Sequence, residues 1–383
     1  MKIDAPSLVA LREYLDEMMY SLVDLRLSFE VPKAPTGFPH FESLQQTVKR
    51  LDQGHQTLFR LFRIGEAVAD ASLKAAVPER ILNALIVSEL LEQDPPGAWR
   101  TPSILIVPAE GLYLIVGVPP SYPTGTRPCN TWFDMSSYFI ANALPRSLRG
   151  LRVLDICSGS GIQSLLCAAR GADSVLGLEL NQEAVETARA NAILNGFDDR
   201  VEFHQSDMLA AVGASERFDF VVCNTPYAPV IEGSEAPRSF EEIGNSVLRG
   251  VPARLPAHLS DRSRGIIGTW RSVGHGSTTY QMQSIASQLE KESFAIFAYV
   301  DRAPDTVDSV LRILQNDLAQ RAALDPAQVE QIVSSVRELF QKPERPFDGF
   351  YNQLIYFQKG RIESAGKERA VFGLSPPPPK AQS

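Results

Sequence analysis

The residues with the chemistry to form a site fall in one stretch, and they recur at the ends of short apolar runs. Asp155 is followed by the small-residue turn Ser158-Gly159-Ser160-Gly161; Glu179-Leu180, Asp207-Met208 and Asn224-Thr225-Pro226-Tyr227 come after it in that order. Glycines let a turn pass where a side chain would collide with a ligand, and a helix starting behind it presents unpaired N–H groups. An acid about twenty residues beyond such a turn, where Glu179 stands, is placed to grip ribose hydroxyls. The chemistry implied is binding of a nucleotide-like ligand at a row of strand ends.

The elements that must position these residues are legible as alternating strands and helices. Leu151–Cys157 is a run of strand length, and Ile162–Arg170 has helical periodicity. Val175–Leu180, Val201–His204 and Phe218–Cys223 are further apolar strands, each ending at one of the polar groups. Strand, glycine turn and helix is how a doubly wound sheet begins its nucleotide site.

From about Asn130 to Gly268 this series resembles the class I S-adenosylmethionine-dependent methyltransferases. Asn224-Thr225-Pro226-Tyr227 is similar to the Asn-Pro-Pro-Tyr signature of enzymes that methylate glutamine amides or exocyclic amino groups, with Thr225 where the signature has proline. The stretch Gly244-Asn245-Ser246-Val247-Leu248 also looks like the glutamine methyltransferase pattern. The resemblance implies an α/β fold with a Rossmann-like seven-stranded sheet and S-adenosyl-L-methionine as cofactor. It implies that Asp155, Ser158, Gly159 and Gly161 meet the methionine part of that cofactor, with Ser136, Ser137 and Tyr138 on a preceding helix (Ser136 and Ser137 are also candidates for capping it). Glu179 would hold the ribose, and Asp207, with Leu180 and Met208, the adenine. Asn224 and the Pro226 carbonyl would accept from the acceptor's N–H groups, beside the bound cofactor, while Tyr227 stacks on it or walls the pocket. Thr225 would add a hydroxyl or room there. Trp270 and His275, at and beyond the end of a fifth strand over Gly265–Trp270, complete the acceptor side. His275 as a general base would suit a hydroxyl acceptor instead.

Composition narrows the partners. The 383 residues carry a net charge of −8, which argues against a polyanionic substrate such as nucleic acid. Neither a signal-peptide core nor a run of membrane-spanning length is present in the sequence, and the four cysteines lack metal spacing, so a cytoplasmic, metal-free protein is expected.

The organisation expected is an N-terminal helix and linker (1–40), a helical, winged-helix-like domain (41–120), a methyltransferase domain (121–373) and a disordered tail (374–383). Leu8 to Leu25 has one apolar helical face, which either caps the next domain or pairs with a second copy in a homodimer. Three helices, the last over Glu79–Glu92, then precede a hairpin made of Ser103–Val107 and Leu112–Val118. That third helix is apolar and weakly charged, unlike a groove-reading helix. A helix is expected over Phe240–Leu248, another over Tyr280–Lys291, and a helical insertion at about 304–345 before a final strand, Phe350–Phe357. The function expected is transfer of methyl to an amine or amide nitrogen of a small molecule, such as an amino acid or specialised metabolite. The alternatives are a protein (release-factor-type) glutamine N5-methyltransferase and a non-catalytic cofactor-binding regulator.

Overall fold

The amphipathic run expected as one helix over 8–25 is broken in two in the computed structural model, giving α1 (Ala5–Glu17) and α2 (Tyr20–Glu30). The chain turns at Met19, whose φ of 48° is left-handed. His55 staples the break, with Nε2 2.9 Å from the Met18 carbonyl and Nδ1 2.6 Å from the Asp52 carboxylate. The structure describes residues 2–33, 38–94, 97–119, 121–127, 131, 133–225, 245–275, 278–291, 294–300, 308, 311–312, 315, 325–340 and 349–360. Among them no helix is long and apolar enough to cross a membrane.

After α3 (Phe41–Val48), α4 (Gln53–Leu58) widens into a π-helical turn over Phe59–Ile64 that buries both phenylalanines. Then come β1 (Val68–Ala69), α5 (Asp70–Ala76) and α6 (Glu79–Val87), followed by β2 (Glu92–Asp94) and β3 (Ala98–Arg100). These three strands make one small sheet in the order β1–β3–β2. The third helix is shorter than expected because Glu89 turns left-handed and the Leu90 N–H closes back on the Leu85 carbonyl. The hairpin expected over 103–118 exists as β4 (Ile104–Ala109) and β5 (Leu112–Gly117), turning through Glu110-Gly111 at positive φ. It is a separate two-stranded sheet, and the hairpin that follows the third helix is β2–β3.

The rest of the chain builds one large sheet. Its elements are α7 (Met135–Ala143), β6 (Arg152–Ile156), α8 (Ile162–Ala169), β7 (Ser174–Glu179), α9 (Gln182–Leu194), β8 (Val201–Gln205) and β9 (Phe218–Asn224), then α10 (Asn245–Arg254), β10 (Leu259–His275), β11 (Thr278–Thr279), α11 (Tyr280–Lys291), β12 (Phe294–Val300), α12 (Pro326–Phe340) and β13 (Gly349–Lys359). The strand order is β8–β7–β6–β9–β10–β13–β12, with β11 attached to β10. Pairings from β8 to β10 are parallel, and β13 runs antiparallel to both neighbours. This is the seven-stranded sheet expected of the class I methyltransferase fold. Asp325 opens α12 through a reciprocal box: it accepts from the Gln328 N–H, and its own N–H donates to Gln328, both at 2.9 Å. Most of the expected insertion before Asp325, and of the stretch expected as a helix over 240–248, lies outside the described residues.

A single buried cluster runs from α1 and the front helices through β5 into α8 and α9. Within it Phe203 of β8 lies under two glycines of the site. A Cβ on Gly161 would sit 2.7 Å from its ring, and one on Gly177 would meet Phe203 more closely still. Adding that one methyl by Gly177→Ala should therefore destabilise the protein by about 1–3 kcal/mol, the range for overpacking. Phe203→Leu in the same background should recover part of the loss. Urea unfolding of the two variants checks this, and an unchanged midpoint in Gly177→Ala would show that the ring is not confined there.

Candidate functional site

The strand order reverses at β6. The chain steps outward from β6 to β7 to β8, then returns to place β9 on the other side of β6. Helices leave the two sides in opposite directions, so a crevice opens above the carboxyl ends of β6 and β9. Asp155 and the glycine turn lie at the end of β6, Asn224 at the end of β9, Glu179 at the end of β7, and Asp207 just beyond β8. The topology thus brings together residues spread over about seventy positions.

The turn itself is under strain. Cys157, which is not glycine, has φ of 63°, and Gly159 and Gly161 are also left-handed. The Ser158 N–H donates to the Leu178 carbonyl at 3.0 Å, and the Gly161 N–H to Ser158 at 2.8 Å. Glu179 braces the turn from the next strand: one carboxylate oxygen accepts from the Gly159 N–H and the other from the Asn181 N–H, each at 3.0 Å. A carboxylate has about four acceptor positions, so two remain for ribose hydroxyls. The space over Gly159 is open, with no atom within 4 Å of where a Cβ would stand.

Three buried polar atoms here have no hydrogen-bond partner: Asp155 Oδ1, Ser158 Oγ and Ser160 Oγ. Buried polar groups are rarely left unpaired, and their concentration at one turn is a mark of a ligand's polar end. Asp155 is fully buried; its other oxygen accepts from Ser164 at 2.6 Å. Burial pushes its carboxyl up to about 7, against the pull of the Ser164 bond, and the charge of Glu179 adds to the rise. These atoms fit the ammonium and carboxylate of a methionine moiety. Leu180, half exposed, and Asp207, exposed, stand farther along the sheet, where an adenine would lie. Met208, at φ 51°, sets its sulfur against Gly250 of α10.

Several expectations need correcting. The cap of α7 is Asp134, which accepts from the Ser136 N–H at 2.8 Å, so neither serine serves as the cap. Ser136 reaches the crevice instead: its Oγ accepts from the Asn224 amide at 3.3 Å. Ser137 is buried, with its carbonyl taken by Gln163. Tyr138 is turned toward the front of the molecule, its ring edge-on to Phe133 and under the Lys33 ammonium, so the cofactor role expected for it lacks support. Thr225 is buried and both its N–H and its hydroxyl donate to the Gly268 carbonyl, at 3.3 and 2.7 Å. Its hydroxyl therefore ties β9 to β10 and does not line the acceptor pocket. The strand β10 runs on past Gly268, the partner of Asn224. Trp270 is two residues beyond, and His275, paired with Thr278, lies roughly 20 Å along the strand at about 3.3 Å per residue. Pro226 and Tyr227 lie outside the described residues, as do the side chains of Trp270 and His275. The contact of Ser136 with Asn224 is not legible in the sequence, because nothing in the Ser136-Ser137 pair at the start of an apolar helix separates capping from a contact across the fold.

A family model described as the methyltransferase small domain matches residues 129–238. A putative protein N5-glutamine methyltransferase of Methanocaldococcus jannaschii is 38% identical over 146 residues, which are 36% of this chain and 71% of that protein. The ribosomal protein L11 methyltransferase of Heliobacterium modesticaldum is 27% identical over 242 residues, covering 58% of this chain and 69% of that protein. Among solved structures, an S-adenosylmethionine-dependent methyltransferase of Thiobacillus denitrificans, in complex with S-adenosyl-L-homocysteine, covers 62% of this chain and 95% of its own at 17% identity and a TM-score of 0.36.

The raised Asp155 has a sign that can be measured. Between its ordinary value of 3.8 and about 7 the folded chain keeps a proton that the unfolded chain has released. Stability of the ligand-free protein should therefore fall as pH rises through that window, by at most about 1.4 kcal/mol per pH unit from this group, and level off above it. Asp155→Asn has no proton to lose and should gain on the wild type across the same window. Urea unfolding of both at steps between about pH 4 and 8 tests this; a constant difference between the two would disprove it.

Proposed function

The chain belongs to the S-adenosylmethionine-dependent methyltransferases, and on that premise we propose that it methylates the side-chain amide nitrogen of a glutamine in a protein. The observation that carries this reading is Asn224 at the lip of the crevice, in a tetrapeptide similar to the glutamine-methylating signature, within a chain related to a protein named for that activity. The expectation of a small-molecule acceptor gives way here, because the relatives are named for protein substrates, ribosomal protein L11 among them.

The bound cofactor supplies a methyl group already activated on a sulfonium sulfur, so the protein mainly has to align an acceptor. Asp155 and the serine hydroxyls hold the methionine end, Glu179 the ribose, and Asp207 with Leu180 the adenine. The Asn224 amide nitrogen donates to Ser136, and in this reading its oxygen accepts from the substrate's N–H. In this reading the Pro226 carbonyl accepts the second N–H and Tyr227 packs on the planar amide. Two such bonds fix the nitrogen lone pair on the methyl and tolerate the positive charge that grows as the bond forms. Thr225 replaces the stiffness of a proline ring with two bonds to one carbonyl, so the departure from the signature preserves the geometry of Asn224. The unit from α4 to β3 acts as a winged-helix-like module, with β2–β3 as its wing, and presents a protein substrate.

Asn224→Ala should leave affinity for S-adenosylhomocysteine nearly unchanged and lower turnover by about 100-fold or more, the scale for removing one positioned polar group. The acceptor can be found by treating a cell extract with trideuteromethyl cofactor and fragmenting the labelled peptides. Label on a glutamine amide supports the reading. Label on a protein amine would replace the glutamine acceptor with an amine one, and label confined to small molecules, or on oxygen, would overturn the reading.

A further inference from the structure

Helix α9 carries two asparagines one turn apart that both face strand β5. A buried strand edge must find partners for its N–H and C=O groups. Asn195 accepts from the Tyr113 N–H at 2.9 Å and donates to the Tyr113 carbonyl at 2.7 Å. Asn191 does the same for Ile115, accepting at 2.7 Å and donating at 2.9 Å. Four residues along a helix advance about 6.0 Å and two along a strand about 6.6 Å. The two amides therefore stand in for a missing neighbouring strand.

They differ in their remaining bonds. The Asn191 amide also donates, at 2.9 Å, to the carbonyl of Ser160, inside the glycine turn. The second donation of Asn195 returns to its own helix at the Asn191 carbonyl, and its oxygen also takes a bond from Arg12. Asn191 is fully buried, so water does not compete for its partners. A turn of small residues with two left-handed glycines has little of its own to hold it in one shape. Fixing the Ser160 carbonyl also fixes the Gly161 N–H across the same rigid peptide plane, and that N–H closes the turn on Ser158.

We propose that Asn191 is a positioning residue that ties the β4–β5 hairpin to the cofactor turn, so that seating the hairpin and binding S-adenosylmethionine favour one another. The inference rests on the glycine turn being the cofactor site. By linkage, whatever the hairpin contributes to the cofactor the cofactor returns to the hairpin.

The test compares Asn191→Ala with Asn195→Ala in the full chain. Both remove bonds to β5 and both should lower the melting temperature. Asn191→Ala should also weaken S-adenosylhomocysteine binding by about tenfold, within the usual range of coupling between sites, while Asn195→Ala leaves it nearly unchanged by calorimetry. Hydrogen exchange gives the reciprocal measurement: S-adenosylhomocysteine should slow exchange in residues 112–117 of the wild type and of Asn195→Ala, and not in Asn191→Ala. Asn191→Asp keeps the shape and the acceptor for Ile115 while weakening donation, and serves if the alanine variant does not fold. Equal cofactor affinity in the two alanine variants, or wild-type hairpin exchange indifferent to ligand, would overturn the proposal. A wild type that binds no cofactor would instead strike at the site assignment.

Discussion

The reversal of strand order beside β6 is the constraint on which the rest of the molecule depends. Parallel strands need crossovers, and where two successive crossovers leave on opposite sides the sheet cannot cover its own carboxyl ends. The crevice is therefore made before any site residue is chosen. Asp155 and Asn224 stand at the same end of the sheet because β6 and β9 are hydrogen-bonded neighbours, with Ile156 opposite Cys223. Phe203 then fills the space beneath the turn and, by its size, allows only glycine at positions 161 and 177.

An open crevice has an energetic consequence. The polar atoms that await a ligand cannot also be fully satisfied by the protein, and Asp155 Oδ1, Ser158 Oγ and Ser160 Oγ are left buried and unpaired. The left-handed Cys157 adds local strain. Such groups destabilise the ligand-free fold and are relieved when a ligand supplies the missing partners, so binding and stability are coupled at this turn. A buried carboxyl that rises to about 7 belongs to the same balance: without a cation beside it, it holds its proton near neutrality.

What the sequence made legible was local and periodic. The strands that carry the site, the glycine turn, and the acids at strand ends follow from apolar runs and punctuation, and the seven-stranded sheet follows from the resemblance those motifs carry. What it concealed depended on contacts across the fold. The split of the first helix rests on His55, far along the chain, bonding the Met18 carbonyl. Strands β2 and β3 are three residues each, and Glu92-Gln93-Asp94 has no apolar pattern, so the sequence alone points to the stronger run that follows as the hairpin after the third helix. Thr225 reads as a pocket residue until the Gly268 carbonyl is seen beside it. The fifth strand, expected to end at Trp270, runs on to His275, and its partner strands set that length.

The front of the molecule and the catalytic sheet share one apolar core, with α1 packed between α6 and α9. Apolar packing is continuous across the Pro119–Pro128 stretch, from the front helices into the sheet. Arg12 shows the continuity: from α1 it bonds Asn195 on α9 at 2.9 Å and lies over the Tyr113 ring of β5. Two modules joined only by a linker would bind a substrate and a cofactor independently. Modules joined through a common core and a shared asparagine pair hold the front hairpin in fixed register with the glycine turn, which is what an alignment-limited transfer would require of a front unit that presents the substrate as proposed.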